Sequence, residues 1–230
     1  MHRHFEDLLE DLRSNLIKMG SLVDEQLELA LKALHDGDLK ATEKVYENEK
    51  KVNDYDNLLD KQVDEIMALE QPVATDLRLV VSAIKMNHEM ERIGDVAVNI
   101  AQRVRPLLDH EDLVRKTAVL EMGDVARRMV HDSLDSFIHG DPELARQICK
   151  EDDIVDDMNR AKFQFVIEEM EKNPNLIEPG AHLIVALTHR ADRGPRDQHC
   201  RRRCIPCRCK SHKTSCCGQR LRILPDRFPN

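Results

Sequence analysis

The chain repeats itself. Met19-Gly20 returns as Met122-Gly123, Gly37-Asp38 as Gly140-Asp141, and Val52, Val63 and Met67 as Val155, Val166 and Met170. All five correspondences hold one offset of 103 residues. Self-similarity at a fixed spacing marks a repeated structural unit, so any fold for this chain must be built from two copies of one design.

Hydrophobic periodicity says what that design is. Phe5, Leu9, Leu12, Leu16, Met19, Val23, Leu27, Ala30 and Leu34 advance in steps of three and four, which places them on one stripe of a long helix. Asp36-Gly37-Asp38 supplies a turn. A second helix over about 39–70 carries Val45, Val52, Leu59, Val63 and Met67 inward and breaks at Gln71-Pro72. A third over about 75–106 ends near Pro106 and the polar stretch Asp109-His110-Glu111-Asp112. Three helices with short turns pack as an up-down-up bundle. The expected fold is all-α, a tandem repeat of two three-helix bundles, with the first repeat over 1–108 and the second over 112–189.

Composition supports this. The chain has no Trp, 3% aromatic residues and 34% charged residues, poor material for strands and good material for amphipathic helices. No apolar run reaches the roughly 18 residues of a membrane-spanning helix, and the acidic start lacks the apolar core of a signal peptide. The expected location is the cytoplasm.

The third helix carries the chemistry. In Glu89-Met90-Glu91-Arg92-Ile93-Gly94-Asp95-Val96-Ala97-Val98-Asn99, residues Glu91, Asp95 and Asn99 stand at i, i+4 and i+8. Their oxygens line one face over two turns. Such a pair is ordinarily a solvated face. Here the neighbours Ile93, Ala97 and Ile100 are apolar, and Gly94 sits mid-helix, where it costs about 1 kcal/mol relative to Ala. Glycine there points to a close helix approach beside the carboxylates. A hard, oxygen-seeking cation among them would offset their repulsion.

Gln71-Pro72-Val73-Ala74-Thr75-Asp76-Leu77-Arg78, followed by Glu91-Arg92-Ile93-Gly94-Asp95 and Asn99-Ile100-Ala101, resembles the signature of the PhoU family over roughly residues 1–189. The resemblance implies that Glu91 and Asp95 are metal ligands, with Glu89 and Asn99 as additional candidates. The ion would be iron, manganese, magnesium or zinc. Asp76 and Arg78 match the signature without a settled role, a helix-start cap and a salt bridge being the plain alternative. The resemblance further implies a homodimer that restrains phosphate uptake and the phosphate-starvation response. Its partners would be the ATPase subunit of the phosphate ABC transporter and a sensor histidine kinase.

No Gly-rich phosphate loop or nucleophile–base pairing stands in residues 1–189, so a regulator is expected and not an enzyme. The acidic helical body argues against nucleic acid as a partner. A ferritin-like oxidase would need Glu-x-x-His pairs on facing helices, which are missing. A purely structural scaffold would show unbroken heptads without Gly94.

After His189 the character of the chain changes. Residues 190–230 hold 12 Lys and Arg against 3 Asp and Glu, whereas residues 1–189 hold 23 against 40. Six of the seven cysteines follow residue 199. A second acidic motif is due near residue 191, but the chain reads HRADRGPRDQHCRRRCIPCRCKSHK without apolar period. Permitted codons for His189–Cys204, read one base later, translate as IERIADHATNIAEDV, which aligns with ERIGDVAVNIA at Glu91–Ala101. Residues 190–230 are therefore expected to be a frameshift-derived, disordered tail, leaving the second bundle incomplete at its last helix. The apolar faces of its first two helices (Val125, Met129, Phe137, Ile148, Ile154, Phe163, Val166) would then be partly uncovered. The alternative for Cys204-Ile205-Pro206-Cys207, with Cys200, Cys209, His199 and His212, is a zinc or redox site.

Overall fold

Each repeat opens with the same helix–turn–helix device. Gly37 takes a left-handed φ of 67° and Gly140 one of 63°, conformations that glycine adopts without steric penalty. The following aspartate then caps the next helix. Asp38 Oδ1 accepts from the amides of Lys40 (2.8 Å) and Ala41 (3.3 Å), and Asp141 Oδ1 from those of Glu143 (2.9 Å) and Leu144 (3.2 Å). Even the closing bonds match, Asp38 N–H to the Ala33 carbonyl and Asp141 N–H to that of Ser136.

The computed structural model describes residues 2–188. Helices α1 (His2–Asp36), α2 (Leu39–Glu70) and α3 (Ala74–Val104) form the first bundle. Helices α5 (Val119–His139), α6 (Pro142–Lys172) and α7 (Ile177–Thr188) belong to the second. All regular elements among the described residues are helical. The expected tail, its cysteine cluster and the missing second acidic motif lie outside the described residues.

The stripe on α1 is buried as expected from Leu12 onward. On α2 the expectation fails at one position: Met67 is 42% exposed, and Ile66 is fully buried in its place. Val45, Val52, Leu59 and Ile66 are seven apart. That is the seam period of helices that wrap round one another, and it drifts steadily from the straight-helix phase that would favour Met67.

The connection between repeats is more ordered than its polar sequence suggests. A 3₁₀ turn over Arg105–His110 runs into a short helix, α4 (Glu111–Lys116). Leu107, Leu113 and Val114 are buried while Asp109 and Asp112 face outward.

The two bundles meet where α1 crosses α5 in antiparallel sense. A Cβ on Gly20 would lie 2.1 Å from Leu134 Cδ1, and one on Gly123 would lie 2.2 Å from Leu31 Cδ1. Between them Asp24 receives both ends of the Arg127 guanidinium, from Nε at 2.8 Å and Nη2 at 2.9 Å. Gly20 and Gly123, Leu31 and Leu134, and Asp24 and Arg127 are each related by the repeat offset, so a pseudo-two-fold axis passes through the Asp24–Arg127 pair. The core continues across this seam: Leu134 and Phe137 pack with Leu12, Leu16 and Met19 of α1.

The apolar residues expected to be uncovered on the second bundle divide. Met129, Phe137 and Val166 are buried, the last beside Leu183 of α7. Ile154 (58%) and Phe163 (39%) are open. Lys51, the counterpart of Ile154 one repeat earlier, is exposed, so Ile154 belongs to the outer side of α6; Asp60, the counterpart of Phe163, instead accepts from Asn87 of α3.

Candidate metal centre

Helix α3 is pinned by an apolar stripe, Val80, Ala83, Met90, Ala97 and Ile100, all buried. That stripe sets the rotation of the helix and so the direction of its acidic residues. Glu91 lies half-buried at the margin of the α2–α3 groove, Asp95 is exposed one turn on, and Asn99 is half-buried a turn further. The Asn99 amide donates to the Asp95 carbonyl at 2.9 Å, a bond within its own helix. Glu89, two residues from Glu91, lies about 200° round the helix and so on a different side.

The structure brings a second set of carboxylates to the same groove. Glu49, Asp56 and Asp60 come from α2, and Asp56 and Asp60 have the same i, i+4 spacing as Glu91 and Asp95. Partial burial pushes the Glu91 carboxyl above its ordinary pKa, and the negative charges of Asp95, Asp56 and Glu49 push it further. Asp56 is raised likewise, by burial first and then by Asp60. The charge on His88 opposes both shifts.

Two buried amides of the core reach these carboxylates. Asn87 Nδ2 donates to Asp56 Oδ1 at 2.7 Å and to Asp60 Oδ1 at 3.2 Å. Gln26 Nε2, from α1, donates to Glu49 Oε2 at 2.8 Å. Gly94 is the close approach expected from its position. A Cβ there would meet Glu49 Oε2 at 3.2 Å, Gln26 Oε1 at 3.3 Å and Val52 Cγ1 at 3.3 Å.

Among the described residues no three carboxylate, imidazole or thiol groups converge on a single point. The acidic groups form a two-helix face, not a closed cage. As a donor set it is all oxygen, which suits magnesium, manganese or iron better than a thiol-seeking ion. A cation would relieve the repulsion that adds to burial in raising the Glu91 and Asp56 carboxyls.

Asp76 and Arg78 stand apart from this groove. Val73 occupies the position before α3 and no side chain caps that end, while Asp76 sits in the first turn. Among the described residues neither Asp76 nor Arg78 forms a salt bridge, so the plain alternative of a cap and a salt bridge is not seen. A carboxylate in the first turn still favours the helix through the positive end of its dipole.

The PhoU domain family model matches residues 16–104 and 119–190, one match for each repeat. The chain belongs to the PhoU family. The match in the second repeat ends one residue beyond His189. The phosphate-specific transport system accessory protein PhoU homologue of Pseudomonas aeruginosa is 33% identical over 186 residues, covering 80% of this chain and 77% of the relative. The PhoU accessory protein of Escherichia coli is 32% identical over 177 residues, covering 75% and 73%. The crystal structure of PhoU from Pseudomonas aeruginosa superposes with a TM-score of 0.74 at 32% identity, covering 80% of this chain and 89% of the other. The phosphate transport system regulatory protein PhoU of Streptococcus pneumoniae gives 0.71 at 26% identity, covering 80% and 87%. As a PhoU-family protein, this chain has a role in the phosphate transport system.

The PhoU-like acidic motif of α3 is legible in the sequence, and the carboxylates that α2 brings to the same groove are not. Only the spacing of Asp56 and Asp60 is there to be read. Lys61 and the nearby Lys50 and Lys51 make that stretch resemble an ordinary solvated face, and only the placement against Asn87 separates it from one.

Proposed function

We propose that this chain is a cytoplasmic negative regulator of phosphate uptake and of the phosphate-starvation response. It works by binding, not by catalysis. In this reading it is a homodimeric adaptor between the ATPase subunit of the phosphate ABC transporter and a sensor histidine kinase. The observation that carries the reading is family coverage of both repeats together with relatives named as accessory or regulatory proteins of phosphate transport. A chain with net charge −8 whose described body is strongly acidic suits basic protein surfaces as partners. No helix among the described residues is long and apolar enough to cross a membrane.

The same reading gives the α2–α3 groove a metal ion. Glu91, Asp95, Glu49, Asp56 and Asp60 would hold it, with Asn99 flanking. When bound, the ion supplies positive charge that neutralises the carboxylates and ties the two helices together.

The test is complementation of a bacterium lacking its own PhoU, read by a phosphate-starvation reporter in phosphate-rich medium. A version with the frame restored after His189 is expected to silence the reporter fully, and the chain as it stands to silence it in part. A reporter that stays on with both versions rejects the regulatory reading.

A further inference from the structure

We propose that Gln26 and Asn87 are positioning residues of the α2–α3 groove, holding the α2 carboxylates in register with Glu91 and Asp95 for a hard divalent cation. The proposal rests on the metal reading above and goes beyond it by assigning work to two core residues that touch no cation.

The first observation is burial. Gln26 is 0% exposed and Asn87 1% exposed, in a core that is mostly apolar. Buried polar side chains are retained when every polar atom is paired, and these two are not. Gln26 Oε1 and Asn87 Oδ1 have no hydrogen-bond partner. Each side chain therefore carries a desolvation penalty that an apolar residue would avoid.

The second observation is direction. All acceptors gather on the nitrogen side of both amides. Gln26 Nε2 faces Glu49 Oε2 at 2.8 Å, with longer contacts to the carbonyls of Val45 (3.4 Å) and Gly94 (3.5 Å). Asn87 Nδ2 faces Asp56 Oδ1 at 2.7 Å, Asp60 Oδ1 at 3.2 Å and the Asp56 carbonyl at 3.2 Å. Flipping either amide would set its oxygen against a carboxylate, so the orientation is fixed by the neighbours. Asn87 thus bridges two like-charged groups through one oxygen each. Oδ2 of both aspartates makes no hydrogen bond among the described residues and is left for a cation. A hydrogen bond from behind that fixes a ligating carboxylate is the usual arrangement round protein-bound metals.

The third observation comes from the repeat. The position one offset after Gln26 is Met129, also buried, in the corresponding place of the second bundle. The fold accepts an apolar side chain of the same length there. The amide at residue 26 thus belongs to the first repeat alone, together with the acidic groove that it faces.

The experiment uses the full chain, titrated with Mn²⁺ alone by calorimetry and by the electron paramagnetic resonance signal of free Mn²⁺, beside thermal melts of metal-free protein. Gln26→Met and Asn87→Leu are each expected to weaken Mn²⁺ binding by about 10–100-fold. Their metal-free melting temperatures should be unchanged or higher. Unchanged Mn²⁺ affinity in Gln26→Met, with binding abolished in Glu91→Gln, overturns the positioning role and leaves the metal reading standing. A metal-free melting temperature that falls in step with affinity also overturns it, because the amides would then be structural. Absence of Mn²⁺ binding to the unaltered chain removes both readings. Should Asn87→Leu fail to fold, Gln26→Met decides alone.

Discussion

Glu91 shows what an acidic groove does to a single side chain. Its carboxyl, like that of Asp56, is pushed above its ordinary pKa by burial and by like-charged neighbours. A carboxyl raised in the folded state favours folding only while protonated. That contribution is complete below the unfolded pKa and is lost as pH rises through the folded one. In metal-free protein Glu91→Gln should therefore raise stability at neutral pH by about 0.5 kcal/mol, the scale of one i, i+4 like-charge pair. The gain should vanish as pH is lowered through the carboxylate range, where the unaltered side chain is itself neutral. Thermal melts across pH check this, and a Glu91→Gln protein that melts lower at neutral pH would contradict it. The α3 half of the groove was legible in the sequence, because Gly94 and the apolar neighbours set Glu91 and Asp95 apart from a solvated face. The α2 half was not, because the residues that distinguish Asp56 and Asp60 are Asn87, 31 and 27 positions away.

At the scale of elements, a short-range pattern was enough for most of the architecture. The stripe on α1, the Gly-Asp turns and the break at Gln71-Pro72 each depend on residues within one or two turns of one another, and each appears where periodicity put it. Met67 and α4 went the other way for a common reason. Whether a residue on α2 faces in depends on how its helix winds round α1 and α3, and whether Leu107, Leu113 and Val114 pack depends on what α1 and α7 offer them. The α1–α5 crossing is likewise tertiary, with glycine on one helix receiving leucine from the other. A methyl on Gly123 would press Leu31 at Cδ1 (2.2 Å), Cδ2 (2.9 Å) and Cγ (3.1 Å), so moving one terminal methyl does not relieve it. Gly123→Ala should cost about 1–2 kcal/mol, overpacking reduced by the better helix propensity of Ala. Combined with Leu31→Ala in a denaturant-unfolding cycle, the two changes should cost less together than their sum. Strict additivity would show that the helices do not touch there.

At the scale of the whole molecule, the two repeats are joined by a seam that treats them unequally. Arg127 binds Asp24 through two nitrogens and Glu28 through Nη2 at 2.7 Å, with its side chain only 23% exposed. Arg127→Asp should destabilise the protein by about 2 kcal/mol, the scale of a charge-assisted hydrogen bond lost from a partly buried site. The exchange Asp24→Arg with Arg127→Asp should recover most of that loss in the same melt. Failure to recover would mean that the pair is bystander to the packing around it.

The position of that pair also has a history written in it. In a symmetric dimer of one repeat, a residue on the two-fold axis meets its own copy, so residue 24 could only have faced an identical side chain. Asp opposite Arg is open only to two copies that already vary independently within one chain. The salt bridge at the centre of this molecule is therefore younger than the duplication that it now holds together.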